Sequence, residues 1–130
     1  MYALMNTLLS STSILNTPVV NTTGDSLGTV QDLMVDPTTS RVQYAVLDFG
    51  GFLGIGDKLF AVPLEVFAID RDNEQFVLDV AKDTLESAPG FDKNDWPSTA
   101  NDTFVERVYD HYGQREVYLR NRVNTPVASN

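Results

Sequence analysis

The stretch FGGFLGIGDKLFAVP, residues 49–63, decides the fold. Four glycines, Gly50, Gly51, Gly54 and Gly56, are interleaved with large apolar residues, and the run closes on a strand-like Lys58–Val62 and Pro63. Glycine-rich loops invite a phosphate-binding reading, but the spacing refuses it. A dinucleotide fingerprint carries glycine, one residue, glycine, two residues, glycine, and leads from a strand into a helix. Counted from Gly54 and Gly56, the third glycine position is Leu59. The chain beyond it is extended, with no helix N-terminus to hold phosphate. No Gly-Lys-Ser/Thr step is present, which excludes a P-loop. The glycines instead let the chain bend sharply between two strands.

Outward from that loop the sequence alternates short strands with turn chemistry. Arg41–Phe49, RVQYAVLDF, is rich in β-branched and aromatic residues and predicts a strand, with Lys58–Val62 returning as its partner. Upstream, Pro18–Asn21 is a brief extended piece, Thr23-Gly24-Asp25 a turn, and Leu27–Val35 an imperfectly alternating strand. Asp36 to Ser40 is a turn with Pro37 at its first central position. Downstream, Pro63–Val66 predicts a helical turn, and Phe67–Asp70 with Gln75–Asp79 a hairpin around Arg71–Glu74. The chain is therefore expected to be mainly β, a small β-barrel of about six short antiparallel strands. Closure would remove the exposed edges that short strands otherwise leave.

Beyond residue 80 the pattern changes. Ala81–Ala88 predicts a short helix stopped by Pro89-Gly90, and residues 91–100 read as irregular chain anchored by Phe91 and Trp96. Thr103 and Glu106 form a capping box that opens a C-terminal amphipathic helix to Tyr112, with Gly113 placed to end it. Its apolar stripe is Phe104, Val105, Val108, Tyr109 and Tyr112. In residues 114–130 only EVYL has strand character, and the serines near the N-terminus read as flexible polar chain. The expected organisation is a barrel domain over 10–97, a helical extension over 98–113 and a tail over 114–130.

With 130 residues, 42% of them hydrophobic, one domain with a real core is expected. A net charge of −9 repels phosphate backbones and anionic membranes, so nucleic acid is not expected as a partner. Cysteine is absent, which removes disulfides, thiol catalysis and thiolate metal sites. The N-terminal MYALMNTLLSS has no Lys or Arg and does not read as a signal peptide, and no apolar run is long enough for a membrane span. The expectation is a soluble, cytoplasmic protein.

Catalytic constellations are scarce, and no catalytic, cofactor-binding or metal-ligating residue is assigned. His111 is the single histidine and reads as a helix-surface or interface side chain. Asp70, Asp72 and Glu74 resemble the start of a calcium loop, but Gln75 stands where the sharp turn needs glycine and Ala81 where a bidentate glutamate is needed. Asp32, Asp48 and Asp57 lie in or beside strands and are candidates to converge as an acid–base set. The sequons at Asn21 and Asn101 are incidental in a cytoplasmic chain. The remaining functional candidates are apolar. Phe52, Leu53 and Ile55 of the glycine loop either plug the barrel or face a partner. Val108, Tyr109 and Tyr112 either close their own barrel or dock on a second copy.

The succession GDSLGTVQDLMVDPTTSRVQYAVLDFGGFLGIGDKLFAVP, then VLDVAKDTLESAPGFDKNDWP, resembles the PRC-barrel family over roughly residues 10 to 113. That family includes the cytoplasmic domain of the photosynthetic reaction centre H subunit and the C-terminal domain of the ribosome maturation factor. Small stand-alone bacterial members share the GGFLGIG loop, the APGFDK-x-x-W-P segment and a terminal helix ending in Tyr-Gly. The resemblance implies a β-barrel of about six strands, no catalytic activity, and a role as an adaptor that binds other proteins or sits within assemblies; no cofactor is expected. The chain shows neither the membrane helix of the H subunit nor the companion domain of the maturation factor, so neither process transfers by default. The leading expectation is a non-enzymatic interaction module with a protein partner, a second copy in a homodimer included. The alternatives are a small-ligand-binding regulatory domain with a cleft near Asp48 and Asp57, and a hydrolase or isomerase using convergent carboxylates.

Overall fold

A computed structural model of the chain describes residues 8–49, 58–97 and 102–123. Seven strands form one sheet: β1 (Pro18–Val20), β2 (Ser26–Asp36), β3 (Arg41–Asp48), β4 (Lys58–Val62), β5 (Phe67–Asp70), β6 (Gln75–Leu78) and β7 (Gly90–Asp92). Their order is β5-β6-β1-β2-β3-β4-β7, so β5 and β7 are the edges and the sheet is not closed. All pairings are antiparallel except β1 with β6, which run parallel. The mainly-β expectation holds. Against the expected barrel of about six antiparallel strands, the sheet among the described residues has seven strands, one parallel pairing and no closure. The added strand is β7, drawn from chain expected to be irregular, where Phe91 lies opposite Leu59 of β4.

The long strand β2 explains its own imperfect alternation. Its register against β3 shifts between Val30 and Asp32 and again between Met34 and Val35, which are bulges that re-aim the side chains beyond them. Near its start, Gly28 has φ +124°, and a Cβ there would lie 2.1 Å from the carbonyl oxygen of Asp48. Only glycine lets β2 approach β3 this closely, at the point where the chain leaves for the glycine loop.

Strands β3 and β4 are buried on both sides, and their side chains alternate accordingly. Leu47, Phe60 and Val62 join Val19, Leu27, Val30, Phe49, Phe76, Leu78 and Leu85 in one core. Tyr44, Val46, Leu59 and Ala61 point the other way into a second core. That second core is completed by two helices, α3 (Asp102–His111) and α4 (Arg115–Val123), through Val105, Val108, Tyr109 and Tyr118. Burying one such aliphatic or aromatic side chain is worth about 1.5–3 kcal/mol before chain entropy is set against it.

The helices hold three corrections. Thr103 lies inside α3 rather than at its cap, because the helix begins at Asp102. The EVYL segment belongs to α4, not to a strand. Its Tyr118 ring meets Tyr109 at 6.0 Å, and Tyr118 N–H donates to the Gln114 carbonyl at 3.1 Å. The N-terminal serines form a short helix, α1 (Ser11–Ile14), whose Ser10 hydroxyl caps it by accepting from the Ser13 N–H at 3.2 Å. The remaining helix, α2 (Lys82–Glu86), and a 3-10 turn over Leu64–Val66 fall where the sequence places them.

Candidate interaction surface

The two groups of candidate contact residues fare differently. Phe52, Leu53 and Ile55, with the glycine loop around them and Asp57, lie outside the described residues. Val108 and Tyr109 are 0% and 1% exposed and belong to the second core. Their stripe is consumed by the chain's own sheet, so neither presents a surface to a partner. Tyr112, in the turn just past α3, packs against the first core, which splits the stripe between two cores.

The polar groups on these tyrosines differ sharply. Tyr109 hydroxyl donates to the Gln43 carbonyl at 2.8 Å and approaches Glu65 Oε1 at 3.4 Å. Burial raises its pKa, and the neighbouring Glu65 carboxylate raises it further. Tyr112 hydroxyl is buried with no hydrogen-bond partner, and burial raises its pKa too. Next to it, His111 Nε2 lies 2.6 Å from the Thr84 carbonyl oxygen. A carbonyl only accepts, so Nε2 carries the proton and ties α3 to α2. His111 is thus a bridging side chain rather than a free surface group. Sequence reasoning missed this bridge because Thr84 is 27 residues away.

Of the three carboxylates, Asp57 lies outside the described residues, and Asp32 and Asp48 have separate partners. Asp48 faces Thr29 across the sheet and Asp32 faces Val46, so the two are not cross-strand partners. Asp48 is paired with Lys93 at 3.4 Å, and Asp32 accepts from the N–H of Leu33 at 2.8 Å. Asp70 closes its own hairpin. Its carboxylate takes hydrogen bonds from Asn73 Nδ2 at 2.8 Å and Gln75 Nε2 at 3.1 Å, and the Asn73 side chain is the main cause holding its pKa below the usual range. Among the described residues no three His, Asp or Glu side chains are grouped to hold a metal.

Surface relief is modest. A cleft of about 540 Å³ is lined by Val66, Asp79, Thr84, His111, Tyr112 and Gln114. One of about 610 Å³ runs between α1 and the β5–β6 hairpin, with Leu9, Ile14, Ile69 and Phe76 on its walls. Of the large apolar side chains exposed among the described residues, Leu8 and Leu9 are neighbours while Val35 and Leu119 stand singly, as on any surface. No described helix is long and apolar enough to cross a membrane. What stands out is an apolar sheet face, Tyr44, Val46, Leu59 and Ala61, that an amphipathic helix covers.

A two-faced sheet of this kind agrees with the comparison against protein families, in which the family model of the PRC-barrel domain matches residues 6–85. The chain belongs to the PRC-barrel family. The matched region ends within α2, so β7 and the helices α3 and α4 lie beyond it. A protein of Deinococcus radiodurans, described only as an uncharacterized protein, is 28% identical over 103 residues. That alignment covers 79% of this chain and 36% of the relative, so the chain spans about a third of the relative's length. The similarity therefore extends the kinship without adding an activity.

Proposed function

We propose that this PRC-barrel chain is a non-enzymatic interaction or assembly module, acting in the cytoplasm on a protein partner and capable of self-association. The observation that carries the reading is the family match over residues 6–85, since PRC-barrel domains are protein-interaction modules. Each buried residue named in the two cores is hydrophobic, and the chain's own α3 and α4 cover the face formed by β3 and β4. The glycine-loop residues Phe52, Leu53 and Ile55 are proposed as a further contact.

The test is tagged capture from the native host, comparing the natural chain with a Phe52→Ser/Leu53→Ser variant, alongside light scattering on the purified chain. A specific protein retained by the natural chain supports the reading, and its loss in the variant places the contact in the loop. Turnover of a small-molecule substrate by the purified chain would overturn it. A strict monomer at high concentration would remove self-association.

One feature favours the small-ligand alternative, namely the cleft beside Tyr112, whose buried hydroxyl has no partner among the described residues. A thermal-shift screen separates the two readings, since a ligand that binds only the folded chain raises Tm with its concentration.

A further inference from the structure

The cleft of about 540 Å³ lies where the link from β6 to α2 meets the turn between α3 and α4, and its lining is one-sided in charge. Val66, Val80 and Tyr112 supply apolar wall, while Asp79, His111 and Gln114 supply polar groups. None of the described residues lining it is Lys or Arg. Its size falls within the range of about 300–1,000 Å³ usual for small-molecule sites.

Three of its polar side chains offer acceptors that nothing among the described residues uses. Asp79 follows the last residue of β6, at the centre of a tight turn in which Val80 N–H donates to the Leu78 carbonyl at 3.0 Å. Its exposed carboxylate has no hydrogen bond or ion pair there. His111 Nε2–H is committed to the Thr84 carbonyl at 2.6 Å, so in the neutral ring Nδ1 keeps its lone pair as an acceptor. Gln114 donates its backbone N–H to the Tyr109 carbonyl at 2.8 Å and leaves its side-chain oxygen unpaired. The helix end adds the same sign, because the partial negative charge of α3 falls at its last residue, His111.

An anion entering this cleft would meet no cationic side chain among the described residues, and a neutral apolar ligand would cover the Asp79 carboxylate without pairing it. A primary ammonium group answers both demands. It brings one positive charge and three N–H donors, one for each of the three acceptors, and its alkyl stem can lie along Val66, Val80 and the Tyr112 ring. The net charge of −9 raises the concentration of cations around the chain as a whole. We propose that this cleft binds a small primary alkylammonium ligand through Asp79, His111 and Gln114. The site goes beyond the interaction-module reading and gives the small-ligand alternative a chemical class.

The test is amide NMR on the full-length ¹⁵N-labelled chain titrated with n-butylammonium chloride. Saturable shifts are expected at residues 79–84 and 111–114. Tetramethylammonium, which has charge but no N–H donor, and 1-butanol, which has no charge, should each bind about tenfold more weakly or worse. Asp79→Asn should weaken n-butylammonium by about tenfold or more, with the amide spectrum reporting that the variant stays folded. Asp83→Asn, on α2 but outside the cleft, should change the affinity by less than about twofold, which separates the site from the general field of an acidic chain. Shifts as large at the acidic hairpin of residues 70–75 as at the cleft would overturn the proposal. So would equal binding of tetramethylammonium, unchanged affinity in Asp79→Asn, or no shift at high probe concentration. No protein partner enters the titration, so its failure leaves the interaction-module reading standing.

Discussion

Replacing Gly28 with alanine tests the close approach of β2 to β3. Three costs add at this position. The φ of +124° is one that a side chain rarely adopts, and holding alanine there costs about 1–3 kcal/mol. The new Cβ would lie 2.1 Å from the Asp48 oxygen and 2.8 Å from Phe49 Cα, both backbone atoms that cannot swing aside. Moving them apart disturbs the packing of Leu27, Val30, Leu47 and Phe49 in the first core, and overpacking of this sort costs about 1–3 kcal/mol. A strained ladder hydrogen bond adds about 1 kcal/mol. The loss of roughly 3–7 kcal/mol compares with a total stability of about 5–15 kcal/mol for a typical domain. Gly24 is the control, because its φ is +91° but an added Cβ meets nothing within 4 Å. Gly24→Ala should therefore cost only about 1 kcal/mol. Urea denaturation monitored by circular dichroism reads both. If Gly28→Ala fell within about 1 kcal/mol of Gly24→Ala at unchanged m-value, the packing argument would be wrong.

Four further outcomes are expected. Tyr109→Phe removes the hydrogen bond to the Gln43 carbonyl and should lower stability by about 1 kcal/mol, whereas Tyr112→Phe removes an unpartnered buried hydroxyl and should be neutral or slightly stabilising by denaturant titration. Both hydroxyls have raised pKa values in the folded chain, so below about pH 10 folded and unfolded states hold the same protons and stability is intact. Above it the unfolded state loses those protons first, and stability should fall as pH rises toward the folded-state values; a Tyr109→Phe/Tyr112→Phe variant that kept the same alkaline slope would refute this. Val108→Ala should cost about 1–3 kcal/mol by opening the second core, while exposed Leu119→Ala should stay within about 0.5 kcal/mol in thermal unfolding. Asp48→Asn breaks an ion pair with Lys93 that is 24% and 40% exposed on its two sides, and should cost no more than about 1 kcal/mol, with the difference shrinking in high salt.

Local chemistry made most of the sheet legible. The turn after β2 is closed by Asp36, whose carboxylate accepts from Thr38 N–H at 2.9 Å, as its residue types imply. The hairpin over residues 67–78 and the turn at Leu64–Val66 were equally local. What sequence could not give was long-range. The parallel pairing of β1 with β6 joins Val19 to Phe76, and no local pattern announces such a partner. The same holds for β7, a three-residue strand whose only signal is its fit beside β4. In α4, strand-like EVYL lost to tertiary packing, since Tyr118 is buried in the second core beside Tyr109.

The second core was more legible than the sequence expectations allowed. Tyr44–Leu47 and Leu59–Val62 are unbroken apolar runs, YAVL and LFAV, and a strand with one wet face would alternate instead. Continuous runs announce burial on both sides. Two such strands require a second cover, and the amphipathic stripe of α3 is the chain's own candidate for it. The stripe of Val105, Val108 and Tyr109 and the runs in β3 and β4 are therefore one signal in two places. Together they assign these helix residues to the core rather than to an exposed dimer face.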